Sequence, residues 1–142
     1  MEGSWFLPLH PKLVAFPIAL MLSAAVMQTL GLVFKKDMWR SAAWLMFVLA
    51  AITMPLAGLA GLWEANRLHL HHPVLEEHKF YAFSSLGSTF VALIVLLFLK
   101  SKNNKAFQGV FLVAALGISF LLVCAAHEGG EMVFNYGVGM LK

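Results

Sequence analysis

Four long apolar runs divide the chain, roughly Val14–Phe34, Ser41–Trp63, Tyr81–Leu99 and Phe107–Ala126. Each is close to the ~20 residues an α-helix needs to cross a hydrocarbon core. None alternates polar with apolar positions, so transmembrane strands are not expected. On this reading Pro17 falls in a first helical turn, where it is tolerated, whereas Pro55 falls mid-span and predicts a kink. Polar joints separate the runs: the short KKDMWR (35–40) and KSKNNK (100–105), and the longer EANRLHLHHPVLEEHK (64–79). Such joints force antiparallel neighbours. The predicted fold is all-α, an antiparallel up-down four-helix bundle in the membrane, formed as a single domain by residues 1–142. No sequence repeat is evident.

Composition strengthens the membrane reading. Of the 142 residues, 61% are hydrophobic and only 12% charged, where a soluble domain carries about a quarter charged. The bilayer is thus the first partner. The net charge of +3 is loop charge, and without a basic patch interleaved with aromatics nucleic acid is not expected as a partner. The N-terminal stretch MEGSWFLPLHPK has no basic region typical of a cleaved leader, so the first span is expected to be retained. Cys124, the single cysteine, lies inside an apolar run and reads as a small hydrophobe.

The cations set an expected orientation. Lys35, Lys36, Arg40, Lys100, Lys102 and Lys105 occupy the short joints, against Lys12, Arg67, Lys79 and Lys142 on the other side. Six against four puts the short joints in the cytoplasm and both termini outside, in a multi-pass protein of the inner (cytoplasmic) membrane. All six histidines (His10, His69, His71, His72, His78, His127) then fall on the outer side, with every glutamate, and Asp37 is the one acid inside. The cytoplasmic half of the bundle is expected to be plain packing.

Depth singles out some of these histidines. Counting from a loop centred near Asn103, His78 lies about 25 residues back and His127 about 24 forward, which at ~1.5 Å per residue puts them level on adjacent helices. Counting from a loop centred near Met38, His10 comes level with Asn66 and Arg67 on the second helix. Imidazoles at matching depth suit a bis-histidine haem, and equally a non-haem metal with a glutamate as a further ligand. Small residues at Gly58, Gly61, Ser84, Ser85, Gly87 and Ser88 either pack helices closely or leave a slot for a porphyrin. Arg67, Lys79 and Lys12 lie where haem propionates would seek a cation, or where long side chains snorkel to the interface. His69 and His71 read as solvated loop residues, and His72, before Pro73, as a cap on the third helix. His78 and His127 are the leading ligands, with His10 next.

The segments HPKLVAFPIAL (10–20), EEHK (76–79) and HEGGEMVFNYGVGM (127–140) resemble the bacterial membrane family called domain of unknown function 2231. The resemblance covers nearly the whole chain, and its pattern falls on His10, His78, His127, Gly129 and Gly130. Relatives commonly carry a further histidine where this chain has Ala15, which speaks against a second haem here. Similar domains occur fused to, or encoded beside, Rieske-type and cytochrome c-type modules, which implies redox work at the outer face. The glycines of HEGG are expected to let the chain turn closely over whatever His127 holds.

Three functions follow as expectations. The first is a subunit binding haem b, passing electrons between a quinol and an outer cytochrome c or Rieske-type partner, or within a larger respiratory or photosynthetic complex. The second is a copper, iron or zinc protein using histidines with Glu128 or Glu131. The third is a cofactor-free accessory subunit. No G-x-S-x-G, H-E-x-x-H or Walker loop supports a hydrolase.

Overall fold

The computed structural model describes residues 9–67, 69, 71–100 and 104–137. Four helices follow in order: α1 (His10–Val33), α2 (Asp37–Arg67), α3 (Pro73–Lys100) and α4 (Asn104–Phe134). Each is long and apolar enough to cross a membrane, and no strand occurs among the described residues. Glu2, Lys102, Lys142 and the terminal Val138–Met140 lie outside the described residues.

The helices outrun the predicted spans at the histidine end, because polar residues there continue the helix beyond the apolar run. Two expectations change as a result. Pro17 is buried in the helix interior rather than in its first turn, and α4 runs through Gly129 and Gly130 to Phe134. The glycines of HEGG are therefore helical and do not turn the chain; the turn comes later, at Gly137, with φ 62°. α2 stays helical through Pro55.

The α1–α2 turn sits at Phe34–Lys36, earlier than the sequence suggests. Lys35 adopts φ 53°, the left-handed conformation that commonly ends a helix. The carbonyl of Gly31 accepts from the Lys36 N–H at 3.2 Å and from Arg40 Nε at 3.1 Å. Arg40 also reaches Asp37 at 3.1 Å. One basic side chain, Arg40, and the Lys36 backbone N–H thus close this end of the hairpin.

Helix α1 packs chiefly on α2, and α3 on α4; the α1–α4 seam is smaller and the α2–α3 seam thinner still. The bundle is therefore two helical hairpins side by side. They repeat each other at an offset of 68 residues, the separation of His10 from His78. Pro17, Met21, Ala24 and Gln28 are buried in α1, and so are their equivalents Ser85, Thr89, Ala92 and Leu96 in α3. In α2 the buried set is Ala43, Phe47, Ala50, Ala51, Met54 and Ala57. Its equivalents Phe111, Ala115, Ile118, Ser119, Leu122 and Ala125 are all buried in α4. The repeat is faint in the sequence because burial recurs at most of these positions while identity recurs at only a few, His10 with His78, Ala24 with Ala92, Ala57 with Ala125 and Gly61 with Gly129. Near the shared axis, bulk alternates between halves: Ala43 matches Phe111 and Phe47 matches Ala115. Phe47 and Phe111 meet edge to face at 5.3 Å, an arrangement favoured by their ring quadrupoles.

The half of the bundle away from the histidines is not plain packing. Gln28, fully buried in α1, donates through Nε2 to Gln108 Oε1 at 2.6 Å and to the Gln108 carbonyl at 3.2 Å. Midway, the hydroxyls of Ser85 and Thr89 donate to their own helix and lie near Met54 Sδ at 3.9 and 3.6 Å.

Candidate histidine site

His10, the first residue of α1, is brought against α2. A backbone carbonyl only accepts, so the 2.9 Å contact between His10 Nδ1 and the Ala57 carbonyl fixes the proton on Nδ1. His78, in the second turn of α3, does the same against α4, donating Nδ1–H to the Ala125 carbonyl at 2.7 Å. Both bonds span 47 residues. In both rings Nε2 is left as the nitrogen with a lone pair.

One turn beyond each accepting carbonyl comes a glycine, Gly61 in α2 and Gly129 in α4. A β-carbon on Gly61 would stand 2.8 Å from His10 Nδ1 and 2.9 Å from its Cε1; one on Gly129 would stand 3.4 Å from the same atoms of His78. The glycines make room for the imidazoles. The two rings then meet near the axis between the hairpins, centroids 5.8 Å apart and planes at 86°. The structure therefore pairs His10 with His78.

His127 is placed elsewhere. It follows Ala125 by two residues and precedes Gly129 by two, and two residues rotate a helix by roughly 200°. Its side chain is 70% exposed on the opposite face of α4, with Nε2 3.9 Å from Glu131. Depth was predicted well for His78, but depth does not fix the face. For His10 the level also shifts. The ring lies against Ala57 and Gly61, not Asn66 and Arg67, because the turn comes about three residues before Met38 and the displacement doubles on the returning helix.

The remaining predicted residues divide. His72 caps α3, accepting the Val74 N–H on Nδ1 at 3.3 Å, and its ring lies 4.5 Å from that of Tyr136. His69, at φ 49°, and His71 are exposed in the joint. The Arg67 guanidinium lies over the Trp63 ring at 5.7 Å, and Lys79 pairs with Glu76 at 2.7 Å. A β-carbon on Gly130 would meet nothing within 4 Å. Among the described residues no group of three or more His, Cys, Asp or Glu is arranged to hold a metal. The site brings together two imidazoles, His10 and His78.

Ala57, Gly61 and Ala125 were not singled out in the sequence, though a signal exists. Ala-x-x-x-Gly occurs at 57–61 and at 125–129, each following a histidine by the same distance. No curated protein and no solved structure matches the chain. The family model described as a predicted membrane protein, DUF2231, matches residues 6–142, and the chain belongs to that family.

Proposed function

We propose that the chain is a membrane electron-transfer subunit holding one haem b between His10 and His78. It would pass electrons between the quinone pool and an outer cytochrome c or Rieske-type partner, or within a larger redox complex. The observation that carries the reading is the close pair of imidazoles, centroids 5.8 Å apart, each with Nδ1–H committed to a carbonyl.

Two features suit any histidine-held metal, and a third, the number of ligands, favours haem over a bare one. His10 and His78 would be the two residues to hold the iron, their ring centroids 5.8 Å apart. A bare transition metal takes three or four protein ligands, whereas a porphyrin supplies four nitrogens of its own and asks the protein for two. Finally, a hydrogen bond on the far nitrogen orients a ligating imidazole and raises its basicity, and both rings have one. The haem would supply one-electron chemistry.

The chain's own contribution is positioning and environment. The Ala57 and Ala125 carbonyls hold the rings, and the apolar bundle below limits water. Arg67 and Lys79 stand at the outer end, in reach of the interface where propionates would emerge. A quinol, an outer partner protein and placement in the inner membrane with both termini outside are part of the proposal, and the cation bias of the two short joints supports the orientation.

The test is the visible spectrum of the purified protein, oxidised and reduced. A Soret band with sharp reduced α and β bands is expected for the wild type and for His127→Ala, and is lost in His10→Ala and His78→Ala. A wild-type protein without a Soret band after expression with haem supplied overturns the reading. Retention of the band in both His10→Ala and His78→Ala overturns the ligand assignment.

A further inference from the structure

We infer that Gly61 and Gly129 are positioning residues for the two imidazoles, and that each hairpin builds the same three-part cradle: ring, accepting carbonyl, and clearance one turn on. The inference rests on the reading of His10 and His78 as a ligand pair and adds what sets their aim. In each half the glycine and the accepting alanine are four residues apart, so they lie on one face of one helix, where the ring spans both. Were the glycines there only for close helix approach, what they face would be the neighbouring backbone. Instead the atoms nearest a β-carbon at Gly61 are Nδ1, Cε1 and Cγ of His10, and at Gly129 Cε1 and Nδ1 of His78.

The two halves differ in tightness, and this makes the inference testable. At Gly61 the ring would be met at 2.8 Å, inside any tolerable contact, so an alanine must push the imidazole off the Ala57 carbonyl. At Gly129 the distance is 3.4 Å, the edge of ordinary contact, so an alanine fits with little adjustment. Helix propensity works in the other direction, since alanine favours a helix interior over glycine at both sites. A merely structural glycine would therefore give two similar, well-folded alanine variants with unchanged rings.

The experiment is ¹⁵N NMR of histidine-labelled full-length protein in detergent, kept reduced, with the His10 and His78 signals assigned by His10→Ala and His78→Ala. The wild type is expected to show a hydrogen-bonded Nδ1–H on both rings. In Gly61→Ala the His10 signal is lost and the His78 signal stays; in Gly129→Ala both stay. Gly129→Val, which fills the slack on that side, removes the His78 signal and leaves His10 as the internal control. Circular dichroism confirms that the helices persist, and Gly129→Val carries the test should Gly61→Ala fail to fold. Nδ1–H signals unaffected by Gly61→Ala, or by Gly129→Val, overturn the inference. The haem reading fails separately, through a wild type that shows both Nδ1–H signals and no Soret band.

Discussion

At the scale of residues, the six histidines divide by what satisfies them. Burying an imidazole without partners costs on the order of a few kcal/mol, and the fold meets that cost at His10 and His78 with a carbonyl each. His127 needs no such provision, being 70% exposed. Replacing it by alanine is expected to change stability within about ±0.5 kcal/mol, the usual range for surface sites, in SDS-unfolding titrations of detergent-solubilised protein. His72 has a local role, so His72→Ala is expected to cost about 0.5–2 kcal/mol through a lost cap without changing the spectrum. What the sequence revealed at this scale was depth. Counting residues from the loops found His78 and identified His10 as a candidate. It did not reveal azimuth: His127 and the Ala125–Gly129 face are two residues apart, and that spacing reverses the side of the helix.

Among the elements, the spans were legible because a bilayer imposes a length and an apolar composition that few other structures share. Their ends were less so. The turn at Phe34–Lys36 depends on Lys35 taking a left-handed conformation, which nothing in KKDMWR announces. The equivalence of the α1–α2 and α3–α4 hairpins shows in the sequence only at a few matched positions such as His10, Ala57 and Gly61 with His78, Ala125 and Gly129, because lipid-facing positions need only be apolar, and core positions near an axis must differ in size to fit each other. Equivalence nevertheless makes a prediction. Gln28 and Leu96 occupy matching, fully buried positions, yet only Gln28 carries an amide, whose Oε1 has no partner. Interhelical hydrogen bonds in membranes average about 0.6 kcal/mol, and removing an unpaired buried acceptor offsets part of that loss. Gln28→Leu is therefore expected to change stability by less than about 1 kcal/mol by the same titration. A loss above about 3 kcal/mol, more than leaving a hydrogen-bond partner unsatisfied costs, would show that the Gln28–Gln108 contact organises the inner half.

Orientation belongs to the whole molecule. The repeat places α1 and α3 parallel, so both hairpins enter the bilayer from the same side and both cradles open on one surface. A pair of equivalent hairpins related by an axis along the membrane normal cannot have one half inverted without separating His10 from His78. Every cation bias in the chain therefore acts on one choice, and Lys35, Lys36, Arg40, Lys100, Lys102 and Lys105 in the two short joints outweigh the four on the histidine side. Such short, basic joints are expected to stay in the cytoplasm, with the histidine pair facing out. The measurement is thiol labelling of intact cells with a membrane-impermeant maleimide. With Cys124→Ser as background, cysteines are placed at His71, in the exposed joint at the histidine end, and at Lys36, in the opposite turn. His71→Cys is expected to react in intact cells and Lys36→Cys only after permeabilisation. The reverse pattern would put the cradles in the cytoplasm and remove an outer redox protein as partner. Labelling of both positions in intact cells would mean mixed insertion, which the two-residue cation margin would then be too small to prevent.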